Sequence, residues 1–187
     1  KRGDIGSTMA GYAQAYLSDD APTAADAITV SPYLGYGSLT PALNLAEANG
    51  RGVFVLALTS NPEGAGVQHA VNGDQAVAAG IVEGVTASNA QASGEGRLGS
   101  IGLVIGATVG GAVSDLGIDL QRANGPLLAP GVGAQGAGPA ELEAVFGTAR
   151  RQVLASTSRG VLKAGPSIDE LRKAASASAY EAATALR

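Results

Sequence analysis

Five short runs in this chain are apolar with no regular polar interruption: 25–30 (ADAITV), 52–58 (GVFVLAL), 100–105 (SIGLVI), 126–129 (PLLA) and 152–156 (QVLAS). A strand that is apolar on both faces is buried on both faces, which is the mark of a parallel sheet covered by helices. Alanine-rich stretches with helical spacing lie before, between and after them, at 7–17, 38–49, 66–91, 111–116, 139–146 and 168–186. Pro139 suits a first helical turn, where its missing N–H costs nothing. Aromatic residues are only 4% and tryptophan is absent, so the core must be Val, Leu, Ile and Ala. The pattern is a helix followed by five βα repeats, read as one domain over 1–187.

Such a repeat folds as a doubly wound sheet or as a β/α barrel. Glycine-rich segments follow the strands directly: SPYLGYG, TSNPEGAG, GATVGG, APGVGAQGAG and STSRG. A doubly wound sheet concentrates its site at one switch point. A barrel builds its site from many such loops on one rim. Five decorated loops favour the α/β class in its (β/α)8 TIM-barrel form. A barrel of eight strands typically needs about 250 residues, and this chain has 187. The expectation is therefore the C-terminal portion of a barrel, with the first strands on a missing N-terminal segment of the same protein. KRGD then reads as the end of a third strand.

Composition narrows the chemistry. Net charge is −4 with no long basic run, and nucleic-acid binding needs clustered Lys and Arg. There is no cysteine, which removes disulfides and thiolate chemistry. His69 is the only histidine, so zinc sites built on several His or Cys ligands are excluded. No run of apolar residues is long enough to span a membrane, and no signal peptide is visible. The expected location is cytoplasmic. His69, in the polar helical stretch VQHAVNGD, reads as a surface or helix-end residue. GATVGG lacks the spacing of a nucleotide loop. Glu141, Glu143, Asp169 and Glu170 fall near helix starts, where carboxylates favour the dipole.

Lys1 and Asp4 are the first candidates for chemistry. Their spacing alone leaves two readings open. One is a surface ion pair worth under about 1 kcal/mol. The other is a proton donor at a strand end with a carboxylate that keeps it charged. Ser60 can be a turn cap or a hydrogen-bonding group beside a ligand. Arg159 can be a solvated surface residue, or a guanidinium fork that joins backbone N–H groups of Ser158 and Gly160 around a phosphate.

KRGDIGST resembles the second half of the active-site motif of the orotidine 5′-monophosphate decarboxylase family: Asp-x-Lys-x-x-Asp, then Ile, with Thr four after the last Asp. Lys1, Asp4, Ile5 and Thr8 fit it, and the first Asp would precede Lys1. SPYLGYGSL, GRGVFVLALTSNPEGA, LAPGVGAQG and STSRGVL, in this order, are similar to the bacterial branch that includes the mycobacterial enzymes. The likeness runs from residue 1 to about residue 165.

The resemblance implies a lyase of pyrimidine biosynthesis. It removes CO2 from C6 of orotidine 5′-monophosphate to give UMP, with no metal and no organic cofactor. It makes Lys1 the group that steadies and then protonates C6. It brings Asp4 and Thr8 into the partner's site of a homodimer. It puts Ser60 on the pyrimidine edge, and Gln135 between base and phosphate. It puts Ser158, Arg159 and Gly160 on the phosphate, where the family usually has Gly in place of Ser158. Two other readings stay open. A metal-dependent sugar-phosphate decarboxylase or aldolase shares Asp-x-Lys-x-x-Asp, although TSNPEG and DIGST point away from it. A non-catalytic phosphate-binding barrel fragment is the other.

Overall fold

Parallel neighbours cannot be joined by a tight turn; each pair needs a crossover of a dozen or more residues. The alanine-rich stretches provide those crossovers. The computed structural model describes residues 3–132 and 137–187. In chain order they form α1 (Gly6–Leu17), β1 (Ala27–Val30), a 3-10 turn (Tyr36–Leu39), α2 (Thr40–Ala48) and β2 (Gly52–Leu58). A second 3-10 turn (Pro62–Gly64), α3 (Ala65–Gln68), the paired strands β3 (Val71–Asn72) and β4 (Gln75–Ala76), α4 (Val77–Ser88) and α5 (Ala90–Gly94) follow. Then come β5 (Ile101–Ile105), α6 (Ala112–Asp115), β6 (Leu127–Pro130), α7 (Pro139–Phe146), a 3-10 turn (Gly147–Gln152), β7 (Val153–Ser156), α8 (Arg159–Leu162) and α9 (Ile168–Ala185).

The five long strands form one sheet in the order β1-β2-β5-β6-β7. Every neighbouring pair is parallel. The order never reverses, so there is no switch point of the kind that locates a doubly wound site. All five strand-to-helix loops leave from one edge, as on the rim of a β/α barrel. Val53 faces Ile101, Leu103 faces Leu127, and Leu127 faces Val153, with one register shift in β2 between Leu56 and Leu58.

One face of the sheet is fully buried. Val53, Val55, Leu103, Ile105 and Leu127 belong to one apolar cluster with Met9, Leu17, Leu39 and Leu142 from the helices and connecting turns. Burying each such side chain stabilises the fold by about 1.5–3 kcal/mol. On the other face the register aligns Leu56, Val104, Leu128 and Leu154 across four strands. That face is apolar, as expected, but is not fully covered among the described residues: Leu154 is 50% exposed. Gly102 sits there because a Cβ would lie 2.7 Å from the Phe54 ring and 2.3 Å from the Pro126 carbonyl.

The continuous helix expected over 66–91 is not what forms. After α3 the chain makes a hairpin in which Val71 pairs with Ala76 and Asn72 with Gln75. Gly73, with a φ of 68°, and Asp74 make the two-residue turn between Asn72 and Gln75, and a Gly-Asp pair flanked by residues able to pair is a hairpin signal that outweighs helical spacing. His69 is the C-terminal cap of α3 and is exposed.

Two contacts tie distant segments. Asn89 is 2% exposed at the end of α4. Its amide donates to the carbonyls of Ile101 (2.7 Å) and Ala123 (2.8 Å), and its carbonyl accepts from Ile101 N–H (3.3 Å). Tyr36, from the loop after β1, lays its ring on α4 at Gly84, where a Cβ would come 2.6 Å from Tyr36 Cγ. Its hydroxyl pairs with Ser88 at 2.7 Å. Burial pushes the Tyr36 phenol up from its ordinary value, against the Ser88 hydrogen bond.

Candidate functional site

The rim begins at Gly3 and Asp4. Gly3 has a φ of 81°, and a Cβ on it would stand 2.1 Å from the carbonyl oxygen of Ser31, the residue after β1. Only glycine lets the chain press against that strand end. This close approach sets Asp4 beside the end of β1, half-buried, with one carboxylate oxygen accepting from Ile5 N–H at 2.9 Å. Thr8 follows on an exposed face of α1. Beside them, Ile5 is 60% exposed, and Tyr33 and Leu34 of the β1 loop are 78% and 53% exposed. Lys1 lies outside the described residues.

Ser60 stands two residues beyond β2, exposed. It packs against Gly106, the residue after β5, where a Cβ would come 3.0 Å from Ser60 N. The residues on either side of Ser60 are fixed by side-chain hydrogen bonds. Thr59 N–H donates to Gln68 Oε1 (3.0 Å), and Gln68 Nε2 donates to Thr59 Oγ1 (2.7 Å). The Thr59 hydroxyl donates to Asn61 Oδ1 (2.7 Å), and Asn61 Nδ2 donates to Glu63 Oε2 (3.1 Å). The Asn61 hydrogen bond, helped by a backbone hydrogen bond, holds the Glu63 carboxyl below its ordinary range.

At the far end of the rim, β6 runs into Pro130 and Gly131, whose φ is 97°. Val132 forms a parallel bridge with Ala137, which ties the two ends of the glycine-rich loop together. Gln135 lies outside the described residues. A cleft of about 140 Å³ opens between this strand end and the next, lined by Pro130, Gly131, Ser156, Thr157, Ser158 and Arg159. The Ser158 carbonyl accepts from Val161 N–H (3.1 Å) and Leu162 N–H (2.9 Å), starting α8 with Arg159 and Gly160 in its first turn. Arg159 is exposed and makes no ion pair among the described residues. A guanidinium beside a small cleft and a fresh helix start can receive an anionic group.

Asp4, Ser60, Ser158, Arg159 and Gly160 thus share one edge of the sheet. Ser60 and Arg159 are three strand spacings apart, roughly 14 Å along a flat sheet and less on a curved one. Three of the helix-start carboxylates are engaged elsewhere. Glu141 accepts from Gly138 N–H at 2.9 Å, Glu143 pairs with Arg150, and Glu170 pairs with Lys173. Among the described residues no group of three or more His, Cys, Asp or Glu is placed to hold a metal ion. No helix among them is long and apolar enough to cross a membrane. A cavity of about 830 Å³ adjoins this end of the rim, between the ends of β6 and β7 and α9, and its lining is mostly apolar. Among the described residues it is lined by none of the candidate groups, although it shares Val132, Ser156 and Thr157 with the cleft beside Arg159.

Thr59 and Gln68 are absent from the sequence expectations. The available signal was a polar pair closing the tight Asn-Pro-Glu-Gly turn between them; reading 66–91 as one helix hid it.

Residues 1–174 match the family model described as orotidine 5′-phosphate decarboxylase / HUMPS family. The chain is 59% identical to the orotidine 5′-phosphate decarboxylase of Streptomyces coelicolor, over 100% of the chain and 65% of that protein. It is 56% identical to that of Salinispora arenicola, over 94% of the chain and 61% of the relative. A solved structure from Streptomyces avermitilis, described as an orotidine 5′-phosphate decarboxylase, is 58% identical, with a TM-score of 0.91 over 100% of the chain and 63% of its own. The Leishmania donovani OMP decarboxylase structure is 29% identical, with a TM-score of 0.72. The chain therefore spans less than two thirds of the length of the actinobacterial relatives it matches.

Proposed function

Because this chain belongs to the orotidine 5′-phosphate decarboxylase / HUMPS family, we propose that the whole protein converts orotidine 5′-monophosphate to UMP and CO2, without a metal or organic cofactor. The observation that carries this reading is the single rim that holds Asp4 beside the end of β1, Ser60 after β2 and the Arg159 cleft after β7. The relatives at 56–59% identity bear the decarboxylase name, which favours this branch over a sugar-phosphate one.

The chemical difficulty is a carbanion at C6. A positioned ammonium stabilises that charge as it forms and then delivers the proton that replaces CO2. Lys1 takes this role in our reading, and Asp4 keeps the ammonium charged and oriented. The Ser60 hydroxyl meets the pyrimidine edge, where it can both donate and accept. Arg159 and the backbone N–H groups around Ser158 and Gly160 receive the phosphate, and Gln135 spans from it to the base. Phosphate binding, remote from C6, supplies energy that closes the site and orients the ring.

The proposal includes a cytoplasmic homodimer in which Asp4 and Thr8 reach the partner's site. The exposed Ile5, Tyr33 and Leu34 beside them support a covered surface at that corner. The test is direct. The full-length protein should consume orotidylate absorbance with equimolar UMP and CO2, undiminished by chelators. No turnover of orotidylate, with magnesium-dependent turnover of a pentulose phosphate, would sink the assignment.

A further inference from the structure

The polarity of the hydrogen bonds around Ser60 follows from one fixed donor. The Thr59 backbone N–H can only donate, so the Gln68 atom that faces it at 3.0 Å must be the carbonyl oxygen. The Gln68 NH2 then points at Thr59 Oγ1, 2.7 Å away, and the hydroxyl must accept there. Its own proton goes to Asn61 Oδ1, which leaves the Asn61 NH2 for the Glu63 carboxylate. Gln68 therefore clasps Thr59 twice, once at the backbone and once at the side chain. Gly64 leaves the space for this clasp: a Cβ there would come 2.8 Å from Thr59 Oγ1 and 3.0 Å from Gln68 Nε2. Ser60 itself has no side-chain hydrogen bond among the described residues. Its place is set by Gly106 on one side and by the clasped Thr59 on the other.

We propose that Gln68 is a positioning residue for base recognition, holding the Ser60 hydroxyl at the rim by clasping Thr59. The inference rests on the reading that Ser60 meets the pyrimidine. It gives Gln68 no contact with the nucleotide, since the residue acts through the loop. Without the clasp, the Thr59–Ser60 segment must be ordered again each time the base binds, and that cost falls on the base rather than on the phosphate.

The experiment uses the full-length protein with Gln68→Ala and Gln68→Glu, each alone and with Ser60→Ala. UMP and ribose 5-phosphate binding are measured by calorimetry, alongside the melting temperature. Gln68→Ala is expected to weaken UMP roughly tenfold and to leave ribose 5-phosphate unchanged. Gln68→Glu keeps an acceptor for Thr59 N–H and is expected to fall between the two. In the Ser60→Ala background the loss on Gln68→Ala is expected to vanish, because both changes remove the same contact. Equal weakening of both ligands, or a loss that persists without the Ser60 hydroxyl, would overturn the proposal alone. Unmodified protein that holds ribose 5-phosphate as tightly as UMP would overturn the base-side reading and the proposal with it.

Discussion

Arg159 and Asn89 show two ways a single polar side chain matters. Arg159 is exposed, beside a small cleft, with no carboxylate to neutralise it among the described residues. Arg159→Ala is expected to lower kcat/KM by between about tenfold and a hundredfold, through KM and kcat together, because a charge-assisted contact to phosphate is lost. Steady-state kinetics on orotidylate check this, and unchanged parameters would remove Arg159 from the phosphate. Asn89 is the opposite case, buried and fully committed to Ile101 and Ala123. Asn89→Ala would strand those backbone groups, and a cost of about 2–4 kcal/mol is expected in denaturant unfolding. The position of Arg159 at the rim, just past β7, was legible in the sequence through its place in STSRG after an apolar run. Asn89 was not, because nothing local marks an asparagine whose partners lie on the next strand and on the turn beyond it.

Among elements, the long strands and α1, α2, α7 and α9 were legible because apolar spacing and proline or glycine punctuation agreed. The segment after β2 was not. There the helical spacing of 66–91 competed with one Gly-Asp turn, and the turn won, dividing the segment into α3, a hairpin and α4. The same segment carries a pH dependence. The Glu63 pKa is lowered in the folded loop, chiefly by the Asn61 hydrogen bond, so the charged form is the one the fold favours. The stabilisation is present above the ordinary glutamate range and is lost as pH falls through the lowered folded value. The protection of the Thr59 amide, exchange being measured relative to its intrinsic rate at each pH, is expected to fall on that acid limb, and Glu63→Gln to flatten the dependence. An unchanged pH profile in the variant would detach Glu63 from the loop.

For the whole molecule, the sheet order states the architecture most plainly, since five parallel strands in unbroken sequence put every βα loop on one rim. Five decorated loops were enough to read that from the sequence. In the sequence, the proposed dimer side of the rim rests on family likeness alone, as no spacing rule says which exposed apolar residues would meet a second copy. Tyr33→Glu is expected to weaken self-association about tenfold or more, with turnover falling alongside the dimer fraction in sedimentation and assay. A dimer unmoved by that charge would put the interface elsewhere. The Tyr36 ring seated on Gly84 reaches further still, because it joins the β1 rim loop to α4, the helix that packs on the neighbouring strand β2 and on β5. Neither position can drift alone. A methyl group at 84 evicts the ring, and a smaller residue at 36 leaves a hollow on α4. Libraries randomised at both positions and selected for activity should therefore recover glycine at 84 wherever they recover an aromatic at 36, so that tolerated sequences arrive as pairs.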